Sequence, residues 1–172
     1  MPASHDPREP VLLFMRMSPP WVFIDEIRRF VESFCACACP QADREAHLAL
    51  AVHELMQNAV SGSSEHTVEL TLEVDSAKDR GSVKVANACT AAQAKVLRAR
   101  VDQMYREPDA LKHSLEAMRQ TPRDKRGGLG LARVRFESQL DLHVEFADGR
   151  VTVQASGKLT VPRHGETRVT HG

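Results

Sequence analysis

The chain has 172 residues, balances 23 Lys and Arg against 23 Asp and Glu, and is 42% hydrophobic. That length fits about one domain and buries enough surface to fold without a metal or disulfide staple. Zero net charge argues against a nucleic-acid partner held by global electrostatics, and no apolar run reaches the roughly 18 residues that span a bilayer.

No basic segment followed by a small-residue cleavage site opens the chain, so no signal peptide is expected. The four cysteines are Cys35, Cys37, Cys39 and Cys89, a clustering unlike a secreted disulfide framework. A cytoplasmic location follows as the expectation.

Residues 1–10 are polar and read as a flexible tail. Val11 to Met17 reads as a strand, ended by Ser18-Pro19-Pro20. Trp21, Ile24, Ile27, Val31 and Phe34 then recur at helical spacing, and Pro40 closes that stretch. A second helix is predicted from about Asp43 to Ser61, with Leu48, Ala51, Val52, Leu55 and Ala59 on one side. Asp43, His47, Glu54, Gln57, Asn58 and Ser61 fall on a polar stripe beside it.

The period then changes to two. Val68, Leu70, Leu72 and Val74 alternate with polar residues as a half-buried strand. Asp79-Arg80-Gly81 is predicted as a turn, and Ser82 to Ala88 as the next strand. Thr90 opens a helical stretch carrying Ala94, Leu97 and Val101, broken at Pro108. A further helix carries Leu111, Leu115 and Met118. Thr121 to Gly128 is a charged, glycine-containing loop, and Leu129 to Ser138 is helical again. Leu140 to Phe146 and Arg150 to Ala155 are strands joined at Ala147-Asp148-Gly149, a hairpin signal. Leu159 to Val161 extends the last strand, and 162–172 is a second tail. Helices interrupting pairs of strands predict an α+β fold over 11–161, a two-layer sandwich of one mixed sheet with helices on one face.

Three features carry chemistry. In the first, Glu54 and Asn58 stand four apart on the second helix and project from one stripe. A carboxylate can take a proton from an attacking hydroxyl, and a carboxamide oxygen can ligate a hard cation such as Mg²⁺. Standing alone, the pair is more simply the solvated side of a helix. The second feature is Gly127-Gly128-Leu129-Gly130-Leu131 opening a helix. Glycines admit close approach of backbone N–H groups to phosphate, although a flexible loop before a helix reads the same way. In the third, Asn87 ends a buried strand, where its carboxamide can read the edge of a base or simply terminate the strand.

In this order and spacing the three resemble the GHKL, or Bergerat-fold, ATP-binding family. Glu54-x-x-x-Asn58-Ala59 is similar to its N box and Gly127 to Leu131 to its second glycine box, with the ATP lid between them. The short chain, with no phospho-acceptor helical hairpin, is most similar to the anti-sigma serine/threonine kinases of the RsbW and SpoIIAB kind and their SiaB-like relatives. The resemblance implies a Bergerat sandwich and a partner-switching regulator that phosphorylates a Ser or Thr of a STAS-domain partner. It implies ATP and Mg²⁺ as cofactors and a homodimer as the assembly.

Residue by residue, the resemblance makes Glu54 the general base and Asn58 the Mg²⁺ ligand. It assigns Gly127, Gly128, Leu129, Gly130 and Leu131 to the phosphates. Asn87 stands where the family carries an adenine-binding Asp, and Asn87-Ala88-Cys89-Thr90-Ala91 replaces its Asp-x-Gly-x-Gly. That departure leaves an alternative open: a nucleotide-independent adapter that sequesters a sigma factor or STAS partner without catalysis. Neither nucleic acid nor membrane is expected as a partner.

Two lesser features have simple readings. Cys35-x-Cys37-x-Cys39 offers three soft ligands, yet buried or exposed thiols are the simpler expectation. His53 lies about 100° from Glu54 on the wheel and is assigned a packing or surface role.

The zero charge is a sum of opposed segments. Residues 95–135 carry 11 Lys and Arg against 5 Asp and Glu, and residues 41–80 carry 3 against 8. A polyanionic ligand with a divalent cation suits that split, and so does an ordinary solvated surface.

Overall fold

A computed structural model describes residues 9–18, 21–38, 45–62, 67–109 and 130–160. Strand β1 (Val11–Met17) leads through a 3₁₀ turn (Trp21–Phe23) into α1 (Ile24–Ala38) and α2 (Glu45–Gly62). The hairpin β2 (Val68–Asp75) and β3 (Arg80–Ala88) follows, then α3 (Ala91–Arg106), α4 (Gly130–Phe136) and a second hairpin, β4 (Asp141–Ala147) with β5 (Arg150–Lys158). The helix expected around Leu111, Leu115 and Met118 and the loop at Thr121 to Gly128 lie outside the described residues. So do both expected tails, apart from residues 9 and 10.

The five strands form one sheet in the order β1-β2-β3-β5-β4. The expected mixed sheet is antiparallel at every pairing. A crossover through helices connects β3 to β4, and these two do run parallel. β5 returns by hairpin into the gap between them, so the parallel pair is never in contact.

Period-two alternation puts one column of side chains per register on the helical layer. Leu70, Val85, Val153 and Val144 form one such column, and Leu72, Val83, Ala155 and Leu142 the next. The opposite face carries Thr71, Lys84, Gln154 and His143 in a polar row, which is why the helices cover one face only. The two-layer α/β sandwich expected from the sequence is the architecture observed.

Local chemistry sets the boundaries. Asp148 and Gly149 take positive φ angles of 52° and 73°, the two-residue turn whose twist matches the strands of a hairpin. The β2–β3 turn spans Ser76 to Asp79. It closes earlier than the expected Asp79-Arg80-Gly81, because the Asp75 carboxylate accepts the Lys78 N–H at 3.0 Å and Arg80 already pairs with Asp75. α3 starts in a capping box: Thr90 Oγ1 accepts the Gln93 N–H at 3.2 Å, and Gln93 Oε1 accepts the Thr90 N–H at 2.8 Å. It ends at Arg106, since Glu107 precedes a proline and is steered out of helical geometry.

α2 is the centre of the helical layer. Leu48, Ala49, Ala51, Val52, Leu55, Met56 and Ala59 are all buried, on more than one side of the helix, because α1, α4 and the sheet all pack against it. Within the polar row this enclosure buries Glu54, while Ser61 at its end stays exposed.

Candidate functional site

Glu54 is only 5% exposed. The sequence places it on a polar face, but α4 closes over that face. Gly130, the first residue of α4, makes the approach possible: a Cβ built there stands 2.6 Å from Glu54 Oε2 and 3.3 Å from Asn58 Nδ2. One turn further along α4, Arg133 donates from Nη1 to Glu54 Oε1. Burial of a carboxylate is costly unless a cation or donors compensate it, and Arg133 is that compensation.

Asn58 donates from Nδ2 to the Glu54 carbonyl at 2.9 Å. This back-bond spends the amide nitrogen on the helix and leaves Oδ1 as the atom able to take a ligand. His53, on the adjoining side, places Nε2 3.1 Å from Asp25 Oδ1 on α1 and Nδ1 3.8 Å from Glu54 Oε1. It is a half-buried link between α1 and α2.

Asn87 occupies the core-facing side of β3, level with Val68 on β2 and Val151 on β5. It is a buried polar residue between apolar neighbours, and its Nδ2 donates to the Ala88 carbonyl at 3.0 Å. Its Oδ1 therefore has the capacity to accept from a ligand.

A cavity of about 420 Å³ joins the two carboxamides. Asn58 and Asn87 both line it, with Leu55, Val85, Leu97 and Val153 among its apolar walls. Its size and composition, apolar with few polar groups, are those of a small-molecule site. Gln93 Nε2 donates to the Gly62 carbonyl at 3.2 Å and ties the start of α3 to the end of α2 beside it. Cys89, in the cavity wall, has its thiol pKa pushed up by burial.

The structure thus brings Glu54, Asn58 and Gly130 together and puts Asn87 across the cavity from Asn58's helix. The Leu131 side chain is buried in the core, so only its backbone is placed to meet a ligand. Gly127, Gly128 and Leu129 lie outside the described residues. Cys35 is buried on α1 and Cys37 exposed, so the two thiols face apart; Cys39 lies outside the described residues. Among the described residues no three His, Cys, Asp or Glu side chains come close enough to hold a metal ion.

Sequence reasoning missed two cations. Arg133 follows Gly130 by three residues, a helical offset that marks it as facing the same way. Arg100 lines the cavity from α3, where nothing in the sequence pattern distinguishes it from its neighbours.

No family model matches the chain, and no curated protein does. A solved structure does: a chain of the SiaB-SiaC complex from Pseudomonas aeruginosa. The match has a TM-score of 0.59 at 16% identity and covers 84% of this chain and 88% of the other. The chain shares the fold of that protein. At this identity the likeness is one of architecture. No described helix is long and apolar enough to cross a membrane.

Proposed function

We propose that the protein is a Bergerat-fold regulatory kinase of the anti-sigma type that binds Mg-ATP and phosphorylates a Ser or Thr of a STAS-domain partner. The observation that carries this reading is the convergence of Glu54, Asn58 and Gly130 next to a cavity that also contains Asn87. The residues fit the cofactors by their donor sets. Asn58 Oδ1 would hold Mg²⁺, Asn87 the adenine edge, and the backbone from Gly127 to Leu131 the phosphates. Mg-ATP, when bound, supplies the phosphoryl group and neutralises its charge.

The chain's own part is to orient and exclude. The apolar walls Leu55, Val85, Leu97 and Val153 exclude water from a bound ring. Glu54, buried and fixed, would accept the proton of the partner's hydroxyl. The fold neighbour belongs to a two-protein complex, and this supports a protein partner here as well. A homodimer is part of the same proposal.

One observation favours a second reading, an adapter that holds a sigma factor or STAS partner without nucleotide. The family's glycines after the base-binding residue are absent, and Thr90 instead caps a helix that begins at Ala91. The deciding experiment incubates the purified chain with STAS-domain proteins, with and without Mg-ATP, followed by mass spectrometry of the partner. Phosphate on a partner Ser or Thr, formed far more slowly but still measurably by Glu54→Gln, supports the kinase. A stable complex with no transfer and no thermal shift at millimolar Mg-ATP supports the adapter.

A further inference from the structure

We infer that Arg133 is a positioning residue for Glu54, an inference that rests on the kinase reading above. Arg133 reaches Glu54 from a different element, 79 residues along the chain, and donates from Nη1 to Oε1. Its Nε is itself fixed at 3.1 Å by Oε2 of Glu137, four residues on and just past the end of α4. The guanidinium is therefore braced from behind while it grips the carboxylate. A planar guanidinium held at two edges has little freedom left, so it sets the plane of the group it pairs with.

The rest of the surroundings divides the work between the two carboxylate oxygens. Oε1 is the one taken by Arg133, with His53 Nδ1 at 3.8 Å on the same side. Oε2 lies against Gly130, the first residue of α4, 2.6 Å from where a Cβ would stand. One oxygen is thus an anchor, and the other is turned to the end of the site where phosphates and an attacking hydroxyl would meet. Without Arg133 a buried carboxylate has no cation within reach on α4 and is free to rotate about its terminal torsion, which is broad by nature.

Arg133 is 36% exposed at its side chain, whereas Glu54 is 7% exposed. The pair thus sits at the boundary between the core and the α4 surface. An interaction of that kind is retained for orientation more readily than for stability, because an apolar pair of the same shape would pack as well.

The test uses Arg133→Met, Arg133→Lys, Glu54→Gln and the double variant Glu54→Gln/Arg133→Met, each first checked for a cooperative melt. Phosphotransfer to the STAS-domain partner is then measured over a range of Mg-ATP. Arg133→Met is expected to lower kcat by about 100-fold, the cost of a misplaced catalytic group, with the KM for ATP within about twofold of wild type. Arg133→Lys restores part of the rate. In the Glu54→Gln background the Met change costs nothing further, since its effect passes through the carboxylate.

Two results overturn the inference while sparing the kinase: a KM increase with kcat unchanged, which would put Arg133 on the nucleotide, or an undiminished loss in the Glu54→Gln background. If Arg133→Met fails to fold, Arg133→Lys decides, and wild-type kcat with a raised KM counts against the role. A wild-type chain that transfers no phosphate at all overturns the kinase reading and this role with it.

Discussion

Gly130 and Glu54 meet at a separation where any added side chain forces one of them to shift: a methyl group at position 130 would stand 2.6 Å from Oε2 and 3.3 Å from the Glu54 Cβ. The glycine is thereby tied to packing between α2 and α4 as well as to any approach of phosphate. Gly130→Ala should push α4 away from α2 and dislodge the carboxylate. Overpacking of this kind costs about 1–3 kcal/mol. Chemical denaturation should show that loss, and phosphotransfer should fall far more than stability. A Gly130→Ala variant with wild-type stability would show that α4 has room to move aside.

Asn87 tests the base-recognition half of the proposal. With Nδ2 engaged by the Ala88 carbonyl, its Oδ1 is the group a purine amino group would meet. A neutral hydrogen bond contributes about 0.5–1.5 kcal/mol net. Asn87→Leu should therefore weaken Mg-ATP by about 3- to 10-fold, read by isothermal titration, with the apo melting temperature little changed or raised. An unaltered ATP affinity would remove Asn87 from the site. Asn87→Asp is the more severe change, because one carboxylate oxygen would replace a donor that now faces the Ala88 carbonyl.

How far the sequence carries depends on the kind of signal. Strong alternation in β2, with Val68, Leu70, Leu72 and Val74 on one face, specified the strand and which of its faces is buried. The Asp148-Gly149 pair specified the second hairpin. The order of strands was not legible, since β5 entering between β3 and β4 is a choice of long-range pairing that no local pattern records. The site divides the same way. Glu54 and Asn58 were placed together by helical spacing alone. The burial of Glu54 was not foreseeable from α2, because α4 supplies the cover and Arg133 the counter-charge from 79 residues away. Thr90 was legible as the start of α3, and the capping box it forms with Gln93, which the sequence reading did not include, fixes that start.

Tyr105 closes the β4 edge of the sheet. Its hydroxyl accepts the Leu142 N–H at 2.8 Å and is 3.2 Å from the Leu142 carbonyl, and the Arg135 guanidinium lies 5.0 Å from its ring centre. Arg98 donates to the Val144 carbonyl further along the same edge. These contacts occupy strand groups that would otherwise invite another strand. Tyr105→Phe keeps the ring and removes the hydroxyl, so it should cost about 1–3 kcal/mol through the unsatisfied Leu142 N–H. Hydrogen exchange at Leu142 should accelerate, and the measurement is local enough to separate this from a general loss of stability.

Asp79 links the β2–β3 turn to the end of β5. It accepts the Thr160 N–H on Oδ1 at 2.9 Å and the Thr160 hydroxyl on Oδ2 at 2.8 Å, while its carbonyl accepts the Leu159 N–H at 3.2 Å. Partial burial works to raise its pKa, but the bonds from the Thr160 hydroxyl and N–H, with the Leu159 N–H and Lys158 charge, outweigh it and hold the carboxyl below its ordinary value. Asp75, at the other end of the turn, is lowered first by its bond to the Lys78 ammonium, at 2.8 Å. A carboxyl whose pKa is lower folded than unfolded binds more protons when unfolded, so its stabilisation is complete above the unfolded value, about pH 4, and is lost as pH falls through the folded one. Denaturation midpoints should therefore drop as pH falls below about 4. Asp79→Asn should lower the neutral-pH midpoint and flatten that acid decline, because the amide has no proton to gain. If Asp79→Asn keeps the full wild-type acid slope, the loss comes from other carboxylates and the Thr160 clip contributes little to it.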